Sequence, residues 1–283
     1  MGQWLVGQIA IDMFLWPSDL RKIRRTYNEV FGRYPRILFA RTFNEKLQRN
    51  KLFYRRRNHI VFADKLAVRD YVAGKLGQKV LTRLYWVGTD LRTVDTSVLP
   101  HRFVIKANNG SGTNLIVNDR DALDWEGAYQ QSLVWLHKDL SVYFAEWHYR
   151  WVPPKLFIEE YLDGKDGQPP TDYKFYCFKG RVELIQIVED RFVSHTECFV
   201  DRQFSRLDIN SQYPCYDGPL IPPPNFVNMI GMAEILADKE PYLRVDFYDT
   251  GRPVFGEITL YPAAGLKQFE PLEIDLKLGA LMA

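Results

Sequence analysis

The sequence predicts an α+β fold built from separate lobes, not a doubly wound parallel sheet. Two stretches read as antiparallel hairpins. One is residues 172–178 and 181–188 around Lys179-Gly180; the other is residues 242–248 and 254–260 around Asp249-Thr250-Gly251-Arg252-Pro253. Helical periodicities fall between strand pairs and do not follow each strand in turn, so βαβ regularity is missing. A chain of 283 residues that is 46% hydrophobic is long enough for a substantial core, in one large domain or two to three lobes.

The elements follow in order. Residues 1–52 read as helical and irregular. Apolar runs at Trp4-Leu5-Val6 and 9–16 precede the basic cluster Arg21-Lys22-Ile23-Arg24-Arg25. The apolar part is too short and interrupted to span a bilayer, and its charges lie on the wrong side for a secretory signal. A helix docked on the domain is expected, with an interfacial helix on an anionic membrane as the other reading. Residues 64–77 read as a helix, with Asp64 as N-cap, Val68, Tyr71, Val72 and Leu76 as the apolar stripe, and Gly77 as the stop. On that helix Lys65 and Arg69 share a face, a like-charge pair that an anion would relieve. Strands are expected at 102–107 and 115–117, then one helix over 121–149 with Trp125, Tyr129, Leu133, Leu136 and Leu140 in its core stripe. A strand follows at 155–162. After the first hairpin, 198–224 reads as a long connection. Asn225 then caps a helix over about 226–237, and the tail 265–279 is mixed loop and short helix.

Composition excludes some classes. Lys and Arg number 37 against 35 Asp and Glu, a balance that argues neither for nor against nucleic acid and leaves a local basic patch possible, and no nucleic-acid partner is among those expected. Cys177, Cys198 and Cys215 are an odd number without CxxC spacing. They point away from a disulfide framework or zinc knuckle and toward a reducing cytoplasm.

Chemistry concentrates in four places. In the second hairpin Leu243, Val245 and Phe247 share one strand face while Arg244 and Asp246 share the other; Glu257 and Thr259 share a face of its partner. Pairing would bring Asp246 and Glu257 together beside an arginine. Two carboxylates so placed need a cation, and hard oxygen ligands suit Mg²⁺; the alternative is a solvated face with a surface ion pair. Second, Lys106 ends a strand before Asn108-Asn109-Gly110-Ser111-Gly112-Thr113-Asn114. Backbone N–H groups of such a loop cradle phosphates, or the loop is an ordinary hairpin turn. It is not a Walker A loop, because the lysine precedes the glycines. Third, Glu159-Glu160-Tyr161-Leu162 ends an apolar strand where a nucleotide base and ribose could bind; an edge strand with solvated glutamates is the alternative. Fourth, Lys174 shares a strand face with Asp172, as a phosphate contact or a salt-bridged pair.

In order and spacing these blocks resemble the ATP-grasp superfamily, and within it the TupA-like branch. The resemblance runs from Phe43-Asn44-Glu45-Lys46-Leu47 and Asp64-Lys65-Leu66-Ala67-Val68-Arg69 to the tail, through 99–112, 158–162, 172–180, Glu189-Asp190-Arg191, 244–248 and Gly256-Glu257-Ile258-Thr259. It implies an ATP-grasp fold: two α+β lobes clamping ATP, at 64–163 and 164–283, after an N-terminal extension over 1–63. It implies Lys65, Lys106 and Lys174 near ATP phosphates or the adenine edge, Gly110, Ser111 and Gly112 over the phosphates, and Glu159, Glu160, Tyr161 and Leu162 at adenine and ribose. Asp246 and Glu257 match the Mg²⁺ carboxylates. Thr259 stands where many relatives carry asparagine, a weaker third ligand. Arg244 matches the arginine that steadies transferred charge, and Arg191 is a further candidate for substrate contact. The implied activity is carboxylate–amine ligation through an acyl phosphate, with small-molecule or glycan substrates in cell-surface polysaccharide or teichuronopeptide-type synthesis. A kinase of the same fold and a non-catalytic nucleotide-binding partner are the competing readings. The implied location is cytoplasmic, with a peripheral or assembly contact through the N-terminal helix left open. His59, His101, His137, His148 and His195 are read as structural or surface residues.

Overall fold

The computed structural model describes residues 2–164, 170–189 and 195–282, and side chains from Trp16 onward. Among the described residues, nine strands form two sheets. The smaller has the order β1-β4-β2-β3, with β1 Leu84–Gly88, β2 Phe103–Ala107, β3 Asn114–Val117 and β4 Leu156–Glu160. The larger runs β7-β6-β5-β8-β9, with β5 Asp172–Phe178, β6 Arg181–Glu189, β7 Thr196–Val200, β8 Tyr242–Asp249 and β9 Pro253–Thr259. Every pairing is antiparallel. The sheets are those expected of α+β lobes, and neither is doubly wound.

Alternation sets the faces of the larger sheet. Leu243, Val245 and Phe247 are fully buried in the main core, with Phe175 beside them. Helix α7 (Phe226–Ala237) closes this apolar side with Met229, Ile230, Ala233 and Leu236. Helix α4 (Val68–Leu76) adds Val68 and Val72 to the same core. The β5–β6 turn takes left-handed φ at Lys179 (50°) and Gly180 (79°), the conformation of a two-residue hairpin loop. A Cβ on Gly180 would lie 2.0 Å from the Asp238 carbonyl oxygen. In the smaller sheet Phe103, Ile105, Ala107, Leu156 and Ile158 form a second core with Ala128 and Trp135 of α5 (Trp125–Leu136).

The N-terminal α1 runs Gly2–Phe31. Asp19, Ile23 and Tyr27, four residues apart, are buried against the body. Arg55 and Arg150 hold Asp19 at 2.8 and 2.6 Å. Among the described residues no helix is long and apolar enough to cross a membrane. Helices α2 (Phe43–Phe53) and α8 (Glu273–Leu281) pack together, and α3 (Arg57–Ala63) leads into the site.

Several expectations need correcting. Helix α4 begins at Val68, because the Asp64 carboxylate accepts from Leu66 and Ala67 N–H in the turn before it. Lys65 is therefore not on a helix, and the Lys65/Arg69 helical pairing is absent. The expected helix over 121–149 is broken into α5, α6 (Leu140–Phe144) and a 3₁₀ turn over Trp147–Trp151. Asp139 caps α6 through Ser141 N–H, and Ala145 turns left-handed (φ 55°). β1 and β7 are strands that sequence patterning does not reveal. The Asn225 side chain does not cap α7; it donates to Asp249 Oδ1. Cys198 and Cys215 form a disulfide, although the odd cysteine count without CxxC spacing points away from a disulfide framework. Pairing is possible because the Pro214 carbonyl accepts from Glu197 N–H, laying the 214–215 segment along β7. Cys177 is buried and free, and the cysteine argument for a reducing compartment falls away.

Candidate active site

The polar face of the larger sheet carries a row of charges set by register. Lys174 pairs with Asp246 across β5–β8, and Asp246 with Glu257 across β8–β9; Tyr176, Arg244 and Thr259 form the next row. A bulge lies between Asp246 and Phe247 in the β8–β9 pairing, opposite Gly256. A Cβ on Gly256 would sit 3.2 Å from the Asp246 carbonyl and the Tyr248 ring, so glycine lets the bulged strand lie close.

The row is tightly bonded. Lys174 Nζ donates to Asp172 Oδ2 at 2.6 Å and Asp246 Oδ2 at 2.7 Å. Arg244 Nε donates to Asp246 Oδ1 at 2.8 Å, and its Nη2 to Asp246 Oδ2 (2.7 Å), Glu257 Oε1 (2.8 Å) and Thr259 Oγ1 (2.9 Å). Thr259 Oγ1 in turn donates to Glu257 Oε1. Burial pushes the Asp246 carboxyl up, against the pull of Arg244 and Lys174. Glu257 goes the other way. Burial opposes its charge, but Arg244, Lys65 and Lys174 hold it down to about 2. Arg244 rises well above its usual value, because Asp246 and Glu257 outweigh its burial.

The smaller sheet presents Lys106 and Glu159 on one face, 2.5 Å apart. Glu159 Oε2 also accepts from Thr82 Oγ1 at 2.5 Å, with Arg69 at 3.7 Å. Burial would raise Glu159, but Lys106 and Thr82 lower it. The loop after β2 is tied at its base. Asn108 Nδ2 donates to Asp64 Oδ1 and the Pro153 carbonyl; Asn109 Nδ2 donates to the Trp135 and Lys138 carbonyls. Its tip bonds two lysines: Lys65 Nζ donates to the Gly110 carbonyl and Lys138 Nζ to that of Ser111 at 3.0 Å. Burial lowers Lys65, and so does Lys106, while Glu257 pulls it up.

A cavity of about 480 Å³ lies between the loop after β2 and the β8–β9 pair of the larger sheet. Lys65, Gly110, Ser111 and Lys138 line it from the loop side, and Arg244, Glu257 and Thr259 from β8–β9. Lys174 and Asp246 lie behind Arg244. Lys106 and Glu159 interact with this cluster electrostatically through Lys65. Glu160 lies elsewhere: it accepts from Arg83 N–H at 3.1 Å and lines a second cavity of about 700 Å³ with Arg69, Thr82 and Arg252. Tyr161 lies under the Arg102 guanidinium, 3.8 Å from its ring centre. Leu162 is partly buried, and Gly112, left-handed at φ 67°, lies outside the cavity lining. Arg191 lies outside the described residues.

Sequence reasoning missed Lys138, Glu146, His148, Tyr149 and Tyr261, which also line the 480 Å³ cavity. No local pattern marks them. Three follow the break in the expected 121–149 helix, and His148 reads from sequence as a structural residue. Burial drives His148 well below its ordinary value, so it is neutral.

The sequence profile described as TupA-like ATPgrasp matches residues 45–283, the stretch that holds all these groups. The chain belongs to the TupA-like ATP-grasp family. Similar solved structures include an L-amino acid ligase from Bacillus licheniformis (14% identity, TM-score 0.42, covering 78% of this chain and 46% of that one). A D-alanine–D-alanine ligase from Bacillus anthracis is similar at 16% identity and TM-score 0.42, covering 78% and 66%. An ADP complex of N5-carboxyaminoimidazole ribonucleotide synthetase is similar at 10% identity and TM-score 0.46, covering 71% and 45%. This ATP-grasp chain thus spans about half to two thirds of the length of the solved structures it matches. No curated protein sequence matches it.

Proposed function

We propose that the chain is an ATP-dependent ligase that joins a carboxylate to an amine through an acyl phosphate. The observation that carries this reading is the single cavity that gathers Lys65 and the Gly110–Ser111 loop on one wall and Arg244, Glu257 and Thr259 on the other. A carboxylate is a poor electrophile, and phosphoryl transfer converts its oxygen into a leaving group. The protein needs no nucleophile of its own for that chemistry, only positioning and charge. Lys65, Lys106 and Lys138 supply positive charge for the phosphates. Backbone N–H groups of Gly110 and Ser111, which line the cavity, are suited to the phosphate oxygens. Arg244, held by Asp246 and Glu257, keeps a fixed guanidinium beside the transferred charge and the later oxyanion.

The donor set fits one hard cation. Glu257 is ionised and its Oε2 has no protein partner among the described residues, whereas both Asp246 oxygens are engaged. Glu257, with Asp246 behind it and Thr259 adjacent, would hold Mg²⁺, which when bound neutralises charge on the phosphates. Family membership supports a setting in cell-surface polysaccharide or teichuronopeptide-type synthesis on the cytoplasmic side. The apolar sequence of residues 4–16 supports a peripheral or assembly contact by α1.

The test is a hydroxylamine trap. The full chain is incubated with Mg·ATP and pools of amino acids and sugar acids, and ADP and hydroxamate are followed together. Both products rising together is the expected result. ADP with a phosphorylated alcohol and no hydroxamate would replace the ligase by a kinase.

A further inference from the structure

The cavity contains one acidic group that the proposed phosphoryl chemistry does not use. Glu146 follows the left-handed Ala145, and this turn directs it into the cavity wall opposite β9. It is 8% exposed. Among the described residues its carboxylate makes no hydrogen bond, and no cation lies within 4 Å. That is an exception in this molecule. Buried Asp19 is held by Arg55 and Arg150, Glu45 by Arg33 and three backbone N–H groups, Glu159 by Lys106 and Thr82, Glu197 by Ser211 and Lys267, and Glu240 by Tyr54 and Asn58. Where a buried carboxylate has a structural role here, the fold supplies its partners.

The neighbouring cation is already committed. Lys51 Nζ donates to the Phe144 and Ala264 carbonyls, each at 2.8 Å. It acts on Glu146 only through its field, which Glu257 opposes from β9. Burial therefore dominates and raises Glu146 to about 7. The other polar side chains of this end are His148, Tyr149 and Tyr261. His148 is neutral, and its Nδ1 has no hydrogen-bond partner. The cavity is thus divided: Lys65, Lys138 and Arg244 crowd one region, while the Glu146 region offers a carboxylate and neutral groups. A phosphate suits the first. A primary ammonium suits the second, because it brings the donors that a buried carboxylate lacks.

We propose that Glu146 receives the amino group of the acceptor substrate, a primary ammonium, and positions it in the cavity that holds Arg244 and Glu257. This rests on the ligase reading above.

The test uses the full chain with Mg·ATP and the same carboxylate pools. ADP release is titrated with glycinamide, largely protonated at pH 7, and with hydroxylamine, which is uncharged there. In Glu146→Gln the apparent KM for glycinamide rises about tenfold or more, the loss expected for a charge-assisted hydrogen bond. KM for ATP and hydroxylamine-trapped ADP release stay within about twofold of the parent, and Glu146→Asp recovers part of the glycinamide response. A misfolded variant would lose all of these together. Equal glycinamide dependence in parent and Glu146→Gln overturns the assignment. If neither glycinamide nor hydroxylamine stimulates ADP release, the ligase reading itself fails. Calorimetric titration of glycinamide, against its uncharged counterpart glycolamide, then decides Glu146 separately. Binding of glycinamide alone, lost in Glu146→Gln, keeps the ammonium site; no binding, or binding that survives the substitution, removes it.

Discussion

Lys174 offers the sharpest test of how the charged row is held. Its side chain is 9% exposed, and its ammonium lies 2.6 Å from Asp172 and 2.7 Å from Asp246. Lys174→Met keeps the length and apolar bulk of the stem but removes the charge. The two carboxylate oxygens it bridges are then at most about 5 Å apart, and at an effective dielectric near 20 their repulsion is ~3 kcal/mol. Arg244 still pairs with Asp246 and opposes protonation of that carboxylate beside Asp172. Breaking a buried pair on one side costs a comparable ~3–5 kcal/mol. We therefore expect a loss of about 3 kcal/mol at pH 7, equivalent to a Tm lower by roughly 6–12 °C for a chain of this size. The deficit should shrink as pH falls, because protonation of one carboxylate relieves the repulsion. Urea unfolding of the parent, Lys174→Met and Lys174→Met/Asp172→Asn measures it, and the second substitution should restore most of the loss. A single-variant loss below ~1 kcal/mol, or a double variant no more stable than the single, would refute the view that Lys174 neutralises two buried carboxylates.

Glu257→Gln is expected to abolish ATP turnover while leaving the fold intact, measured by ADP release beside circular dichroism. Because the folded Glu257 is held down to about 2, its ion pairs stabilise the protein above the unfolded carboxyl value and are lost as pH falls toward 2. With its side chain 38% exposed, that contribution is discounted to ~1 kcal/mol. The substitution should therefore cost stability at pH 7 and little near pH 2–3. Lys106→Ala should weaken nucleotide binding about tenfold by equilibrium titration, the effect of losing one charge-assisted contact; unchanged affinity removes Lys106 from the site. Gly180→Ala should cost about 2 kcal/mol or more in chemical denaturation, since the position needs positive φ and a Cβ meets the Asp238 carbonyl.

Much of the charged row is legible in the amino-acid sequence. Strand alternation puts Arg244 with Asp246 and Glu257 with Thr259, and the Asp249–Pro253 turn implies their pairing. The same alternation puts Lys174 with Asp172. What it cannot reveal is the bonding: Arg244 and Lys174 together saturate Asp246, leaving Glu257 as the carboxylate with an open oxygen. The 159–162 segment, expected at adenine and ribose, is legible only as a strand terminus. The structure separates its members: Glu159 turns in to Lys106 and Thr82, Glu160 faces another cavity, and Tyr161 packs under Arg102.

By itself the sequence determined the antiparallel hairpins, their register faces, the glycine turn at Lys179-Gly180 and the glycine-rich loop after β2. All of these follow from patterns of period 2 or from backbone preferences within a few residues. Tertiary structure alone decided the Cys198–Cys215 bridge, the break of the 121–149 helix and the walls of the cavity. Lys65 meets Gly110 across 45 residues, and Lys51 meets Ala264 across 213. Glu146 acquires its character from the same source. Its neighbours in sequence give it no partner, and its burial, the distant Lys51 and the opposing Glu257 are assembled only when α2, the 144–149 segment and β9 pack around one space.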